Sequence, residues 1–225
     1  MKKVVVIVAG GSGQRMGSDI PKQFLTIEGK PIFLFSIDRF REAFVDIEII
    51  LVLPAAYHDF VSKQLLEFGY DKSLIQLVDG GSTRFHSVQN GLSKVSNDAV
   101  VFIHDAVRCL LSVNLIHRCY DSCINKGSTV PVTKVRDSIR RISPDGSSHI
   151  IPREELYSVQ TPQTFLGKVI KDAFKQDYQP VFTDEASVLE YAGGGVHLVE
   201  GEESNIKITF PDDLLFAEFK IKHSY

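Results

Sequence analysis

Phosphate chemistry has a recognisable set of residues, and this chain of 225 residues places one such set near its start. The run VVVIVA at residues 4–9 stops at Gly10 and Gly11; Gly13, Arg15 and Lys22 follow. Glycine admits positive φ and lets a ligand approach the backbone closely. Successive N–H groups in such a turn form an anion-binding concavity, and cations beyond it would meet the anion. Two familiar loops fit poorly. A Walker loop requires Gly-Lys followed by Ser or Thr, which the stretch lacks. The dinucleotide fingerprint requires a third glycine where Met16 stands, and an acid after the second strand, where Leu53 and Pro54 stand. The plain alternative is a glycine turn with solvated cations.

IHDAVR, residues 103–108, carries a second set. Asp105 stands just past an apolar run, where a carboxylate suits Mg²⁺, a hard cation that takes few protein oxygens and several phosphate oxygens. Arg108 could grip a phosphate. Asp105 as a turn former or helix cap is the alternative. His104 reads as packed beneath the site, since an attacking phosphate has no proton to lose. DGGSTRFHSV, residues 79–88, repeats the pattern of strand, glycine pair and helix start. Gly81 and Ser82 expose groups that could read a base edge, Ser87 lies on the first turns of the helix, and Arg84 faces phosphates or caps the site. TDEASVLEY, residues 183–191, reads as a helix start with Thr183 as N-cap and acids in the first turn. Lys207, between Ile206 and Ile208, is either a site residue or a solvent-facing lysine of an edge strand.

Residues of this kind need a scaffold, and the hydrophobic pattern supplies one. Apolar runs at 4–9, 47–53 and 100–104 read as strands buried on both faces, and 75–78 reads as a short strand. Helical periodicity appears at 32–44, with Pro31 at its first turn, and at 56–68, 83–95 and 113–125. This alternation predicts an α/β, three-layer Rossmann-like fold around a mostly parallel sheet. Ligands then sit outside the carboxyl ends of the strands, where the strand order reverses. The alternation breaks near Thr129. Period-two stretches around the turn signal at 144–146 predict a projecting β-hairpin arm, about residues 133–157, on a single domain spanning 1–225. Val135, Ile139, Ile142 and Ile150 on that arm call for an apolar cover, which predicts a homodimer. A helix at 184–192, a strand at 196–199 and a closing helix from Pro211 complete the chain.

Composition narrows the class. Hydrophobic residues at 44% and charged residues at 24% are ordinary globular values. A net charge of −3 argues against nucleic acid or a membrane surface as partner. The longest early apolar run falls short of the ~18 residues a membrane-spanning helix needs, and no signal peptide is evident. Three cysteines fit a reducing cytoplasm. Cys119 and Cys123, with His117 nearby, lack further ligands at zinc spacing and read as small apolar groups on a helix.

Taken in order, AGGSGQRM…PKQF, DGG…R..SV, HDAVR, QTPQ, TDEASVLEY and NIKIT.PDDL resemble the cytidylyltransferases that act on 2-C-methyl-D-erythritol 4-phosphate, over nearly the whole chain. The resemblance implies CTP and a divalent cation such as Mg²⁺, a dimer with exchanged arms, and a step of non-mevalonate isoprenoid synthesis. It casts Arg15, Lys22 and Lys207 as the cations at the reacting phosphates. Gly11, Ser12, Gly13 and Gln14 form the phosphate loop, and Ala9, Gly10, Gly81, Ser82 and Ser87 meet cytosine and ribose. Asp105 lies by metal and substrate. Arg108, Ser138, Thr161 and Thr183 hold the sugar phosphate, joined by Arg153 from the other subunit's arm. Departures from the family pattern are Ser82 where Asp is frequent, Cys109 for Pro, Ser138 for Thr and Phe210 for a polar residue. Ribitol 5-phosphate cytidylyltransferases share the glycine loop, PKQF and HDAVR; TDEASVLEY leans toward the erythritol enzyme. A nucleotide-binding sensor and a dinucleotide-dependent oxidoreductase are the readings from other classes. Lys22, Asp105 and Lys207 speak against the first, and the missing fingerprint residues against the second.

Overall fold

A computed structural model describes residues 1–11 and 20–224; Ser12, Gly13, Gln14 and Arg15 lie outside the described residues. Four apolar runs form β1 (Lys3–Val8), β4 (Glu48–Leu53), β5 (Ile75–Asp79) and β6 (Val100–Asp105), parallel in the order β6-β1-β4-β5. Alternation along each strand feeds two cores. Val5, Ile7, Leu51 and Phe102 pack on the face covered by α1 (Ile32–Ala43), α2 (His58–Glu67) and α4 (Val113–Lys126). Val4, Val6, Val52 and Ile103 pack on the face covered by α3 (Arg84–Leu92), α5 (Gly167–Ala173) and α6 (Glu185–Tyr191). Burial on both faces is why β1, β4 and β6 read as apolar runs; β5, at the sheet's edge, exposes Gln76 and Asp79, and the result is three layers. Cys119 and Cys123 are wholly buried in the first core, as small apolar groups would be.

The sheet continues beyond β6 through β7 (Ser128–Lys134), β10 (Tyr157–Val159) and β11 (Gln163–Leu166), in the order β10-β7-β11-β6-β1-β4-β5. β11 runs antiparallel to β6 and β7, and β12 (Leu198–Glu200) pairs parallel with β7. The chain passes from β1 outward to β4 and β5, then returns to place β6 on β1's other side. Strand order therefore reverses between β1 and β6, with Val8 opposite Asp105 at their carboxyl ends.

The arm is β8 (Ile139–Ile142) paired antiparallel with β9 (Ser148–Ile151), its turn closed by Gly146 at φ 84°. At the margins of the expected arm, Lys134 pairs with Tyr157 and Thr133 with Ser158 inside the main sheet, so the projecting part is residues 135–156. A short ribbon of β2 (Thr26–Ile27) and β3 (Lys30–Pro31) precedes α1, and α7 (Pro211–Ser224) closes the chain.

Three local expectations change. Pro31 stands at the N-cap position, one residue before α1, rather than in its first turn. The N-cap of α6 is Asp184, not Thr183. Asp184 accepts from Ser187 N and Ser187 answers with its hydroxyl, a reciprocal pair that Thr183 is one residue too early to make. Residues 205–209 do not form an edge strand. They lie across the end of the sheet, tied by Ile208 N to Val107 O at 3.0 Å.

Candidate active site

Three chain segments leave the carboxyl edge of the sheet side by side. Ala9 N donates to Val52 O at 2.7 Å, Gly80 N to Leu53 O at 2.9 Å and Ala106 N to Val8 O at 3.1 Å. Each β-strand thus hands its chain to a turn fixed against its neighbour. Between the turns lies a cleft of about 400 Å³, lined among others by Gly10, Gly11, Lys22, Ser82, Asp105 and Lys207. That volume suits a small-molecule ligand.

The first turn is held by a residue whose role the sequence reading did not single out. Gln23, buried in a short 3₁₀ turn, donates through Nε2 to Ala9 O at 2.7 Å and Gly11 O at 3.0 Å. Its signal was present: a polar amide between Lys22 and the core residue Phe24. The second turn needs glycine for space. A Cβ on Gly81 would lie 2.3 Å from His86 Cβ and 2.8 Å from its carbonyl carbon. Gly81 N instead donates to Ser87 Oγ at 3.0 Å, and Ser87 Oγ donates to Thr83 O at 3.0 Å. Thr83 caps α3, and Ser82 Oγ lies 3.2 Å from His86 Nδ1.

Charge concentrates at the strand switch. Asp105, 7% exposed, has Arg84 Nη2 and Nε at 3.1 and 3.3 Å from Oδ1 and Lys207 Nζ at 2.8 Å from Oδ2. Arg108 Nε stands 3.8 Å from Oδ2. Burial opposes ionisation of Asp105, but the charges of Arg84, Lys207 and Arg108 outweigh it and hold the carboxyl well below the usual range. Arg84 also pairs with the buried Glu185 at the first position of α6. Burial opposes the Arg84 charge; the carboxylates of Glu185 and Asp105 overcome it and raise its pKa. Lys22, itself buried, donates to Ile208 O at 2.7 Å, so the segment carrying Lys207 rests on Lys22.

A neutral polar layer supports these groups from below. His104 is fully buried; burial pushes its pKa down to about 3. Its Nε2 lies 3.3 Å from Arg108 O, which can only accept, so Nδ1 accepts from the Thr161 hydroxyl at 3.0 Å. Thr161 Oγ1 in turn accepts from Asp105 N at 3.1 Å. Arg108 donates to Asn205 O at 2.7 Å and Val159 O at 3.3 Å, and Asn205 Nδ2 to Thr161 O at 2.9 Å. Gln163 clasps the start of α6, donating to Asp184 Oδ2 and accepting from Ala186 N, both at 2.8 Å.

Of the residues marked in the sequence, Ala9, Gly10, Gly11, Lys22, Gly81, Ser82, Ser87, Asp105 and Lys207 line this one cleft. Arg108 and Thr161 lie behind it, with their polar groups turned to backbone and to His104. Thr183 is exposed beside α6, its N–H on Ser187 Oγ. Ser138 and Arg153 are on the exposed arm, where Arg153 Nη1 donates to Arg136 O at 2.9 Å. Arg84 and Thr83 line the cleft as well. No cluster of three or more His, Cys, Asp or Glu able to hold a metal occurs among the described residues. Asp105, the one acid among the described residues that line the cleft, fits Mg²⁺, which is bound by one or two carboxylates together with substrate phosphates and water.

A mostly parallel sheet covered on both faces, with a cation-rimmed cleft at its strand switch, defines a Rossmann-like nucleotidyltransferase. The chain belongs to the 2-C-methyl-D-erythritol 4-phosphate cytidylyltransferase (IspD) family, whose model matches residues 3–223. Its relatives include the 2-C-methyl-D-erythritol 4-phosphate cytidylyltransferase of Bacteroides thetaiotaomicron, 45% identical over 95% of this chain and 97% of the relative. That of Porphyromonas gingivalis is 40% identical over 96% of each. Among solved structures, the 4-diphosphocytidyl-2C-methyl-D-erythritol synthase of Anaerococcus prevotii superposes with a TM-score of 0.82 at 27% identity, covering 99% of both chains. The cytidylyltransferase of Thermus thermophilus superposes at 0.77 and 29% identity, covering 99% of this chain and 100% of its own.

Proposed function

We propose that this protein transfers the cytidylyl group of CTP to 2-C-methyl-D-erythritol 4-phosphate, giving 4-diphosphocytidyl-2-C-methyl-D-erythritol and pyrophosphate. One observation carries the assignment of roles: Lys22 and Lys207, far apart in sequence, meet beside Asp105 in one cleft through the Ile208 carbonyl. A phosphate oxygen of the sugar alcohol attacks the α-phosphorus. The bond from that phosphorus to the bridging oxygen of the β-phosphate breaks, and pyrophosphate leaves with the electron pair. The nucleophile is already anionic, so no base is required; the barrier is repulsion between anions and charge gathering at phosphorus. Preorganised cations in a site shielded from water meet that demand.

Lys22, Lys207 and Arg15 face the reacting phosphates. Gly11, Ser12, Gly13 and Gln14 wrap the triphosphate, Gly10 borders the nucleoside, and Gln23 fixes the start of that loop through the carbonyls of Ala9 and Gly11. Ala9, Gly81, Ser82 and Ser87 border the base and ribose. Asp105 would hold Mg²⁺, which when bound adds positive charge to the phosphates. Arg108 and Thr161 act by holding Asp105 and the segment that bears Lys207, while Thr183 stands near the start of α6 for the sugar phosphate. Arg153 reaches the acceptor from the arm of a second copy, and Ser138 serves the same sugar phosphate. That arm presents Ile142 and Ile150 on one face, 66% and 72% exposed, which supports a homodimer. No helix among the described residues is long and apolar enough to cross a membrane, and the cytoplasm is the proposed site of action.

The test is to incubate the protein with CTP and Mg²⁺ against 2-C-methyl-D-erythritol 4-phosphate and ribitol 5-phosphate separately, measuring pyrophosphate. Release with the first alone is expected. Release with ribitol 5-phosphate alone overturns the acceptor, and binding of CTP without release from either makes the protein a sensor.

A further inference from the structure

Glu185 is 1% exposed and does not line the cleft, yet it carries a carboxylate. Burying a carboxylate is expensive, and an apolar pair of similar volume often serves stability as well or better. Its position in the first turn of α6 agrees with the helix dipole, but the dipole does not explain its aim. Both carboxylate oxygens face Arg84, which in turn reaches Asp105.

The guanidinium is shared. Arg84 Nη2 lies 3.2 Å from Glu185 Oε2 and 3.1 Å from Asp105 Oδ1, while Nη1 is given to Glu185 and Nε, at 3.3 Å, to Asp105. One positive charge is thus divided between a carboxylate at the cleft and one behind it. Asp105 Oδ2 faces a different partner, Lys207, 2.8 Å away and with its side chain 42% exposed, which under the proposed function turns to a phosphate. Were Glu185 neutral, the whole Arg84 charge would bear on Asp105, and a divalent cation would have to compete with it.

We propose that Glu185 is a positioning residue that sets how strongly Asp105 holds the divalent cation, acting through Arg84. The inference rests on the reading that Asp105 meets a cation beside CTP. It implies a split: loss of the Glu185 charge weakens cation binding without weakening metal-free CTP binding, because an undivided Arg84 repels the one and not the other.

Mn²⁺ serves as the probe. Its binding to the protein–CTP complex, with no acceptor present, is followed by electron paramagnetic resonance. CTP binding in chelator is followed by calorimetry. Glu185→Gln is expected to weaken Mn²⁺ about tenfold while metal-free CTP affinity stays within about twofold or rises. Glu185→Asp restores most of the loss. In an Arg84→Met background, Glu185→Gln changes Mn²⁺ affinity by less than about twofold. Unchanged Mn²⁺ affinity in Glu185→Gln, or an equal loss for Mn²⁺ and CTP, overturns the inference. Should Glu185→Gln not fold, Arg84→Met is compared with Arg84→Met/Glu185→Met, which replaces the pair by apolar groups. Equal Mn²⁺ affinity is expected, and a tenfold difference overturns the proposal. A wild-type protein that binds CTP but no Mn²⁺ removes the reading of Asp105, and this inference with it. Normal wild-type binding with an unaltered Glu185→Gln removes the inference alone.

Discussion

The cleft and the arm are built from similar residues and use them in opposite ways. At the cleft and behind it, Lys22, Asp105, Arg108 and Glu185 are each at most 9% exposed, and their partners come from other parts of the fold. In the arm, Arg140 bonds to Ser148 across its own hairpin and Arg153 to the backbone of Arg136. The ion pair of Arg136 with Glu203 ties the arm back to the domain. The charged groups at and behind the cleft are paired, and Lys22, Asp105, Arg108 and Glu185 are desolvated as well, so a polyanion entering it would meet a prepared field. Those of the arm remain hydrated, and Ile142 and Ile150 lie open. The contrast teaches where partners come from: the buried charges are answered within the chain, whereas the exposed face of the arm has no cover among the described residues, as the proposed second copy would require.

The sharpest break would come from the cations. Lys22→Ala, Lys207→Ala and Arg15→Ala are each expected to lower kcat by about 10²–10³ with the fold retained, read by pyrophosphate release and circular dichroism. Near-normal turnover in Lys22→Ala or Lys207→Ala would separate the convergence of these lysines from the chemistry. On the arm, Ile142→Asp with Ile150→Asp should turn a dimer into a monomer in sedimentation, while CTP affinity holds. Arg153→Ala should raise KM for the sugar phosphate about tenfold or more and leave that for CTP unchanged. A dimer that survives the first pair, or a CTP defect from the second, would erase the division of labour.

Smaller effects test how tightly the cleft is built. Gly81→Ala forces a side chain onto the start of α3 and should cost about 1–3 kcal/mol in urea unfolding. His104 tests desolvation below the cleft. Its folded pKa is pushed down to about 3 by burial, against an ordinary 6.5. Between those values the unfolded chain binds a proton that the folded chain refuses, so stability falls as pH falls, by up to about 1.4 kcal/mol per pH unit. His104→Gln should remove that share of the slope between pH 6.5 and 4, measured as the difference from wild type. Last, the three cysteines are free and buried, and burial raises their thiols to about 12. No labelling by a thiol reagent is expected until denaturant is added, and rapid labelling of the native protein would show the core to be looser than its packing implies.

Much of this was legible in the chain itself. Buried parallel strands announce themselves as apolar runs, because both faces are covered, and the glycine pairs after β1 and β5 mark where the chain turns outside the sheet. Asp105 was readable as a ligand-edge carboxylate because it directly follows the run that became β6. The arm and nearly its limits were readable from the alternation around a turn signal; only Thr133, Lys134 and Tyr157 at its margins are claimed by pairing inside the main sheet. Thr183 and Asp184 are both good N-caps by type, and only the bond to Ser187 chose between them.

The sequence alone determined the local matters, which depend on periodicity and residue type: where strands and helices run, where the chain turns, and that cations follow a glycine loop. Tertiary structure alone decided which distant residues share a charge. Lys22 meets the backbone of Ile208, 186 residues away, and Glu185 meets Arg84, 101 residues away. Such pairings follow from strand order and from the burial that makes an unpaired charge costly, and neither leaves a local pattern in the chain.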